Sequence, residues 1–428
     1  LEHISEYTDN YRYFAGYTLT GDGYDQNLLQ EVVENVKGFD KVIIMTGLPE
    51  SYEFEGADRK NIDLPAGHLR LIDEVTQINP NVIVTLYIGS QVAMPFASKV
   101  KGIVNCNLLG AASGRPFLDI LFGKISPSGR LATTFPLRIE DDPSTANFAN
   151  TNNAVWYVES IFVGYRYYTS FKKEVLFPFG YGLSYSTFAY RDLEVEQNTI
   201  EPSGKINVRV KVKNIGTFPA KEVVQLYVEN NVSAVYKPLR ELRRFKKVFL
   251  NVDEEKEVEF VLNYEDFSYY DVQLMKFHVN KGIYKIQICR NAEEVTLEKS
   301  VERAENENGY QDPVKTEYKL TDQDFSEIYN KLLPERNLQR RRPFTLNDNF
   351  NDVEKTFIGK IAKKMLVREF KKKNRDKSPE DIKWMVAYAS EIPFRSLATM
   401  SSGIVTIEKM QDVLDIINLK FFRRKKKR

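Results

Sequence analysis

Short apolar runs that alternate with amphipathic segments constrain the fold of this chain most strongly. The runs at 42–46, 82–88 and 102–108 are rich in Val and Ile, and the segments 25–38 and 68–80 repeat apolar residues at helical spacing. Nearly continuous apolar strands are typical of a parallel sheet that helices cover on both faces. We therefore predict an α/β sandwich domain at 1–136. We expect its N-terminal part to be missing, because the chain opens without Met in what reads as the middle of a domain.

The segment 137–184 has a different character. It is rich in Gly, Pro and aromatic residues and has no clear periodicity. Such a composition indicates a long loop that wraps around the α/β domain. We expect aromatic packing, rather than strand ladders, to hold it.

From residue 185 the apolar period changes to two. Clean alternation occurs at 205–213, 222–228 and 255–262, and turn residues separate several further short runs. This pattern predicts an antiparallel β-sandwich of the immunoglobulin or fibronectin type III kind at 185–302.

The remainder, 303–428, predicts a mostly helical and basic extension. It contains 28 Lys and Arg against 19 Asp and Glu, and it ends in RRKKKR. Basic runs of this kind can contact nucleic acid or anionic membrane. We favour solvated charges instead, because no aromatic interleaving or nucleic-acid motif accompanies them.

Composition argues against several classes of function. Cys106 and Cys289 lie far apart, and the three histidines have no close spacing, so neither a disulfide framework nor a zinc cluster is expected. No apolar run approaches the roughly 18 residues that span a bilayer. A net charge of +2 predicts no nucleic-acid partner. We expect a cytoplasmic protein without a metal or organic cofactor.

A loop crowded with carboxylates follows the first apolar run. It contains Glu50, Glu53, Glu55, Asp58 and Arg59. In an open α/β sheet, ligands bind beyond the carboxyl ends of the strands, where loops converge. The alternative is a set of ordinary surface carboxylates. The loop is nevertheless the best candidate for a functional site.

This loop, LPESYEFEGADRKNIDLP at 48–65, resembles the catalytic loop of the C-terminal α/β domain in family 3 glycoside hydrolases of the β-glucosidase type. Resemblance to the family extends over nearly the whole chain in a fixed order. It includes the segments 79–104, 118–136, 160–168, 176–190 and 221–250. The tail, with RPFTLNDNFNDVEKTFIGK and EIPFRSLATMSSG, is similar to the C-terminal extension of some bacterial members.

The resemblance implies a retaining glycosidase, which needs two carboxyl groups about 5 to 5.5 Å apart. In the family the general acid/base is the Glu of an E-G-aromatic-D-R element, which here reads EGADR and begins at Glu55. Glu53 is the nearest competitor but lacks the following Gly. Ala57 departs from the usual aromatic residue, and we expect Asp58 and Arg59 to form a structural ion pair.

Several aromatic residues are of a type that can stack on a sugar ring. They are Trp156, Tyr157 and the tyrosines within 165–168. Because they lie in the period-free wrap, we interpret them as packing residues.

The family's nucleophile is an Asp on an N-terminal (β/α)8 barrel, and no segment here resembles that barrel. The 126 residues after 302 are too few, because a barrel requires about 200 or more. The chain is therefore predicted to be the C-terminal part of a β-glucosidase-like enzyme, inactive alone, whose barrel lies in cis or on another chain.

The substrate of such an enzyme would be a terminal β-D-glucoside, a xyloside or another β-linked oligosaccharide. The alternative is a noncatalytic scaffold or a carbohydrate- or partner-binding protein built from the same modules.

Overall fold

A computed structural model describes residues 2–53, 59, 61–148, 155–230, 235–306, 318–331, 333, 342–376, 379–400 and 406–419. These residues form a parallel-sheet α/β domain, an antiparallel β-sandwich and a helical C-terminal region. The predicted fold class is confirmed. The domain boundaries drawn from the sequence stay predictions.

Three parallel strands form the sheet of the α/β domain, in the order β1-β2-β3. The strands are β1 (Val42–Gly47), β2 (Val82–Tyr87) and β3 (Gly102–Asn105), and the helices are α1 (Gln26–Asn35), α2 (Ala66–Ile78) and α3 (Gly114–Leu121). The Asp25 carboxylate caps α1 by accepting from the backbone N–H groups of Asn27 and Leu28 at 2.9 and 3.1 Å. This cap fixes where the first helix begins.

Helices lie on both faces of the sheet, as expected, but on one face they leave β1 partly uncovered. Ile44 lies opposite Val84 in the register, and both side chains are buried with residues of α1 and α2. On the other face, α3 packs near Tyr87 and Val104. Ile43 and Met45 on that face keep 40% and 41% of their surface exposed. The apolar composition of β1 predicted that its side chains would be buried. It did not indicate which part of the chain would cover them.

The connecting segment contains regular structure that its composition did not predict. A short antiparallel ladder joins β4 (Phe135–Pro136) to β5 (Val175–Phe177), and α4 (Tyr165–Ser170) lies between them in sequence. Aromatic packing also contributes, as expected. The Tyr165 ring stacks on Phe179 with 4.6 Å between centroids, and its hydroxyl accepts from the backbone N–H of Leu242 at 2.9 Å.

The β-sandwich is built from two antiparallel sheets, ordered β10-β7-β6 and β14-β13-β8-β9, with a small β11-β12 ladder beside them. Its strands are β6 (Phe188–Val195), β7 (Lys205–Asn214), β8 (Ala220–Asn230), β9 (Arg240–Leu250), β10 (Glu255–Asn263), β11 (Tyr269–Asp271), β12 (Lys276–His278), β13 (Gly282–Cys289) and β14 (Val295–Arg303). Alternate side chains of β7, among them Val208 and Val210, are fully buried between the sheets. The period-two pattern therefore marks the core positions.

Six helices form the described part of the C-terminal region. They are α5 (Asp322–Tyr329), α6 (Phe350–Val353), α7 (Phe357–Lys373), α8 (Pro379–Glu391), α9 (Phe394–Met400) and α10 (Ile407–Ile417). A small core around Phe394 and Leu414 joins α6, α9 and α10. Within the described ranges, no helix combines the length and the apolar character that crossing a bilayer requires.

A buried ion pair joins the α/β domain to the sandwich. The Arg130 guanidinium donates to the Glu222 carboxylate on β8 at 2.7 Å, and the Tyr190 hydroxyl on β6 donates to the other carboxylate oxygen at 2.6 Å. The side chains of Arg130 and Glu222 are almost fully buried. Burial, with a smaller contribution from Glu222, raises the pKa of Tyr190 well above its ordinary value. The three groups therefore depend on one another for their hydrogen bonds.

A second buried contact ties α2 to the end of β1. His68 Nδ1 and the Thr46 hydroxyl share a hydrogen bond of 2.8 Å. The Tyr17 ring covers the imidazole with 3.7 Å between ring centroids. Burial lowers the pKa of His68 to about 4 from an ordinary value of 6.5. The imidazole is therefore neutral near pH 7.

We expect Glu222→Ala to destabilise the chain by about 3 kcal/mol, because it leaves the Arg130 charge buried without its partner. Glu255→Ala is the matched control, since it breaks the more exposed pair with Arg191 and should cost no more than about 1 kcal/mol. Urea unfolding of the two variants measures the difference. Equal losses would contradict a special role for the buried pair.

We also expect stability to fall on acidification because of His68. At His68, the unfolded chain binds a proton at higher pH than the folded chain does. The stabilisation that the neutral imidazole contributes is therefore complete above about pH 6.5 and is lost progressively towards about pH 4. The loss amounts to at most about 3 kcal/mol. His68→Asn keeps a polar atom near Thr46. It should make the free energy of unfolding less dependent on pH in this range. Urea unfolding from about pH 7 to about pH 5 measures it, and parallel curves for the two proteins would contradict the assignment.

Candidate active site

The loop after β1 is attached to the end of β2 through Glu53. Its backbone turns after Pro49, whose carbonyl accepts from the N–H groups of Tyr52 and Glu53 at 2.8 and 3.3 Å. The Glu53 carboxylate accepts from the backbone N–H of Gly89 at 2.8 Å and from the Ser90 hydroxyl. The first part of the loop is thus bound to the residues that follow the neighbouring strand.

Arg59 attaches the second part of the loop to the same residues. One guanidinium nitrogen donates to the Ser90 hydroxyl oxygen at 2.8 Å and to the carbonyl of Gln91 at 3.2 Å. Burial lowers the pKa of Arg59, while the nearby Glu53 charge acts in the opposite direction. The Ser90 hydroxyl therefore accepts from Arg59 and donates to Glu53, which joins both sides of the loop at one oxygen atom.

Gly89 permits this close approach. A Cβ atom at this position would lie 3.0 Å from a carboxylate oxygen of Glu53 and 3.2 Å from the side chain of Leu108. The contact would therefore force the carboxylate away from the backbone N–H that it accepts from. Glycine after β2 therefore leaves the space that the Glu53 carboxylate occupies.

The far end of the loop is also fixed before α2 begins. The backbone N–H of Ala93 donates to the carbonyl of Ile62 at 2.8 Å. Gln91 donates from its side chain to the Thr133 hydroxyl, which connects the site to the segment before β4. The loops after β1 and β2 thus form one hydrogen-bonded rim at the carboxyl ends of the strands.

Among the candidate carboxylates of this loop, the structure describes Glu50 and Glu53. Glu53 contributes to the rim through its contacts with Gly89 and Ser90. Glu55, Ala57 and Asp58 lie outside the described residues, so the predicted acid/base assignment and the Asp58–Arg59 ion pair stay predictions. The observed partners of Arg59 are Ser90 and Gln91.

Sequence reasoning missed Gly89, Ser90 and Gln91 as parts of this site. The available signal was their position, because they follow β2 directly as the carboxylate-rich loop follows β1. Parallel strands bring such segments to one edge of the sheet. That Ser90 is the shared partner of Glu53 and Arg59 depends on side-chain geometry, which hydrophobic periodicity does not predict.

Four of the five aromatic candidates of the wrap are packing residues. Trp156, Tyr165, Tyr167 and Tyr168 are buried, and only Tyr157 is largely exposed among the aromatic candidates that the structure describes. For the described ranges, no group of three or more His, Cys, Asp or Glu side chains could hold a metal ion.

Two domain families match the chain in order. The glycosyl hydrolase family 3 C-terminal domain matches residues 1–185, and the fibronectin type III-like domain matches residues 222–292. The first match contains the whole rim described above.

Curated relatives match over larger parts of the chain. Thermostable beta-glucosidase B of Acetivibrio thermocellus is 36% identical over 409 residues, which are 96% of this chain and 50% of that protein. An exo-alpha-(1->6)-L-arabinopyranosidase of Bifidobacterium breve is 38% identical over 296 residues, which are 69% of this chain and 39% of that protein. The chain therefore spans half or less of these two relatives.

Solved structures agree with the fold. The Bifidobacterium adolescentis GH3 beta-glucosidase superposes with a TM-score of 0.65 at 34% identity, covering 81% of this chain and 46% of that one. The Kluyveromyces marxianus beta-glucosidase in complex with glucose superposes with a TM-score of 0.62 at 34% identity, covering 66% of this chain and 34% of that one. The chain thus carries the glycosyl hydrolase family 3 C-terminal domain followed by the fibronectin type III-like domain.

Proposed function

We propose that this chain is the C-terminal part of a retaining β-glucosidase and that Glu55 is its general acid/base. The observation that carries the proposal is the attachment of Glu53 and Arg59 to the same Ser90 hydroxyl. Glu55 belongs to the short stretch of sequence between these two residues. A proton donor needs a fixed position relative to the scissile bond, and the rim supplies fixed points on both sides.

The chemistry requires Glu55 to act twice. In the first step its carboxylic acid protonates the glycosidic oxygen of the leaving group while a second carboxylate attacks the anomeric carbon. In the second step the Glu55 carboxylate takes a proton from the water that hydrolyses the glycosyl-enzyme intermediate.

The nucleophile is proposed to come from outside this chain, on a barrel domain in cis or on a partner chain. Two observations support this division. The chain spans 50% and 39% of two relatives that share its C-terminal architecture. Ile43 and Met45 expose an apolar part of the sheet in the same domain as the rim, and burial of such surface would favour association with a further domain.

Terminal β-D-glucosides are the proposed substrates. The Acetivibrio relative and the two solved structures compared above are beta-glucosidases by name. The arabinopyranosidase relative has a similar identity, 38%, so the sugar at the cleaved end needs a direct test with aryl β-glucosides, β-xylosides and α-L-arabinopyranosides.

In the complete enzyme, Glu55→Ala should lower turnover of aryl β-glucosides by about a hundredfold or more, because it removes the proton donor. The loss should be greatest for poor leaving groups, which depend most on protonation. Added azide should restore part of the rate by attacking the glycosyl-enzyme intermediate without base assistance. Rates with a series of aryl leaving groups, with and without azide, measure both effects.

Glu53→Ala is the matched control, because it removes a carboxylate of the same loop that is bound to Gly89 and Ser90. Because Glu53→Ala retains the proton donor, its loss should be smaller than that of Glu55→Ala, less dependent on the leaving group and less responsive to azide. Azide rescue of Glu53→Ala equal to that of Glu55→Ala, or unchanged kinetics of Glu55→Ala, would overturn the assignment.

The chain alone should not hydrolyse aryl β-glucosides, because it lacks the proposed nucleophile. Co-expression with the barrel domain of a family 3 β-glucosidase should restore activity that Glu55→Ala abolishes. Release of nitrophenol measures the outcome. Glu55-dependent turnover by the chain alone would show that the second carboxylate is on this chain. A barrel that binds the chain without gaining activity would favour the noncatalytic scaffold.

A further inference from the structure

Helix α7 has an outer face that the helical region leaves open to solvent. The helix begins after Thr356, whose hydroxyl accepts from the Gly359 backbone N–H at 2.9 Å. It packs against α6, α8 and α10 with its inner side. The outer side contains Phe357, Ile361 and Met365, which are 79%, 44% and 64% exposed.

These three residues form a continuous apolar stripe, called the α7 stripe below. They are four positions apart, so each lies about one helical turn above the previous one on the same face. Exposed large apolar residues that occur singly need no explanation, but a row of three along one helix differs from that background. The α7 stripe therefore has the form of a contact surface.

Cationic side chains border the α7 stripe. Lys360, Lys364 and Arg368 lie on the same exposed face, and none of them forms an ion pair with a described residue. Along its whole length α7 contains seven Lys and Arg and a single acidic residue, Glu369. Such a helix combines a hydrophobic row with an excess of positive charge, which is the pattern of helices that lie in a membrane interface.

A cavity of about 350 Å³ opens beside the stripe. It is lined by Glu354, Lys360, Lys363, Lys364 and Val367. The Lys363 ammonium is already occupied, because it donates to Asn351 at 2.8 Å and to the Glu354 carboxylate. Lys360 and Lys364 are thus the cavity's available cations, and a phosphate group is the complementary ligand.

We propose that α7 binds the surface of an anionic phospholipid bilayer. The α7 stripe enters the boundary between headgroups and acyl chains, Lys360, Lys364 and Arg368 meet lipid phosphates, and the cavity accommodates one phosphate headgroup. A nucleic acid would match the charge but would leave the stripe exposed. A second copy of the chain would cover the stripe but would bring two strongly cationic helices together.

Vesicle sedimentation of the full chain tests this inference. We expect binding to vesicles of equimolar phosphatidylcholine and phosphatidylglycerol, and none to vesicles of phosphatidylcholine alone. Added salt should weaken the binding, because the lysine contribution is electrostatic. Equal binding to both vesicles, or binding to neither, would overturn the proposal.

The α7 stripe is tested with the triple variant Phe357→Ser/Ile361→Ser/Met365→Ser, which should weaken vesicle binding at least about tenfold. The matched control replaces the same three residue types on the sandwich, Phe245→Ser/Ile283→Ser/Met275→Ser, all of them more than half exposed. It should bind as the unaltered chain does. Circular dichroism verifies that both variants fold.

The cationic part is tested with Lys360→Gln/Lys364→Gln. Each lysine at an anionic surface contributes roughly fivefold to binding, so the double variant should bind about 25-fold more weakly. The control is Lys221→Gln/Lys246→Gln, two exposed sandwich lysines with the same change in net charge. Equal weakening by the two pairs would show a general charge effect and overturn the assignment to α7.

Two further results would assign the face to another occupant and overturn the proposal. Retention on single-stranded DNA that is unaffected by the stripe variant, without vesicle binding, would indicate nucleic acid. Dimers in sedimentation equilibrium that the stripe variant dissociates, without vesicle binding, would indicate a second copy of the chain.

Discussion

The arrangement of the candidate site depends on one hydroxyl group. Ser90 donates to Glu53 and accepts from Arg59, so the loops after two neighbouring strands are held by a shared oxygen atom. The sheet makes this possible, because parallel pairing of β1 with β2 brings both loops to the same edge. Gly89 then allows the carboxylate to reach the backbone. The position of the loop therefore follows from strand register, a missing side chain and one bridging group.

Contacts between the domains maintain this arrangement over a longer range. Arg130 lies in the segment that the family match assigns to the α/β domain, while Glu222 and Tyr190 belong to the sandwich. The connecting segment adds Tyr165 and Phe179, which pack on sandwich residues around Tyr227. Both contacts are buried. Motion of the α/β domain relative to the sandwich would therefore expose the charged groups and the aromatic side chains to water at the same time.

The sequence predicted most of the fold because hydrophobic periodicity reports burial. The apolar runs gave β1, β2 and β3, and the period of two gave the central strands of the sandwich. The period of two did not predict the first half of β9, because Arg240, Arg243 and Arg244 interrupt the alternation of apolar and polar residues there. These side chains form ion pairs with Glu229, Glu241 and Asp266. Their burial is a result of tertiary pairing, which a single-sequence pattern does not contain.

Prediction of the site was limited in a similar way. Resemblance nominated Glu55 through its EGADR element, and the composition of the loop pointed to the carboxyl ends of the strands. Neither indicated that Glu53 would accept from Gly89 and Ser90, because those contacts depend on how the end of β2 faces the loop. Spacing along one chain segment identifies candidate groups, whereas the backbone N–H that Glu53 accepts from lies 36 residues further along the chain, after β2.

The exposed face of β1 affects how this chain would behave in solution. Ile43 and Met45 lie on a strand that, among the described residues, pairs on one side only, with β2. An edge strand with apolar side chains and unpaired backbone groups is a template for association with other chains. Purified alone at high concentration, the chain would gain solubility from any domain that covers this edge. The same strand that positions the candidate catalytic loop is thus also a place where the isolated chain is prone to aggregate.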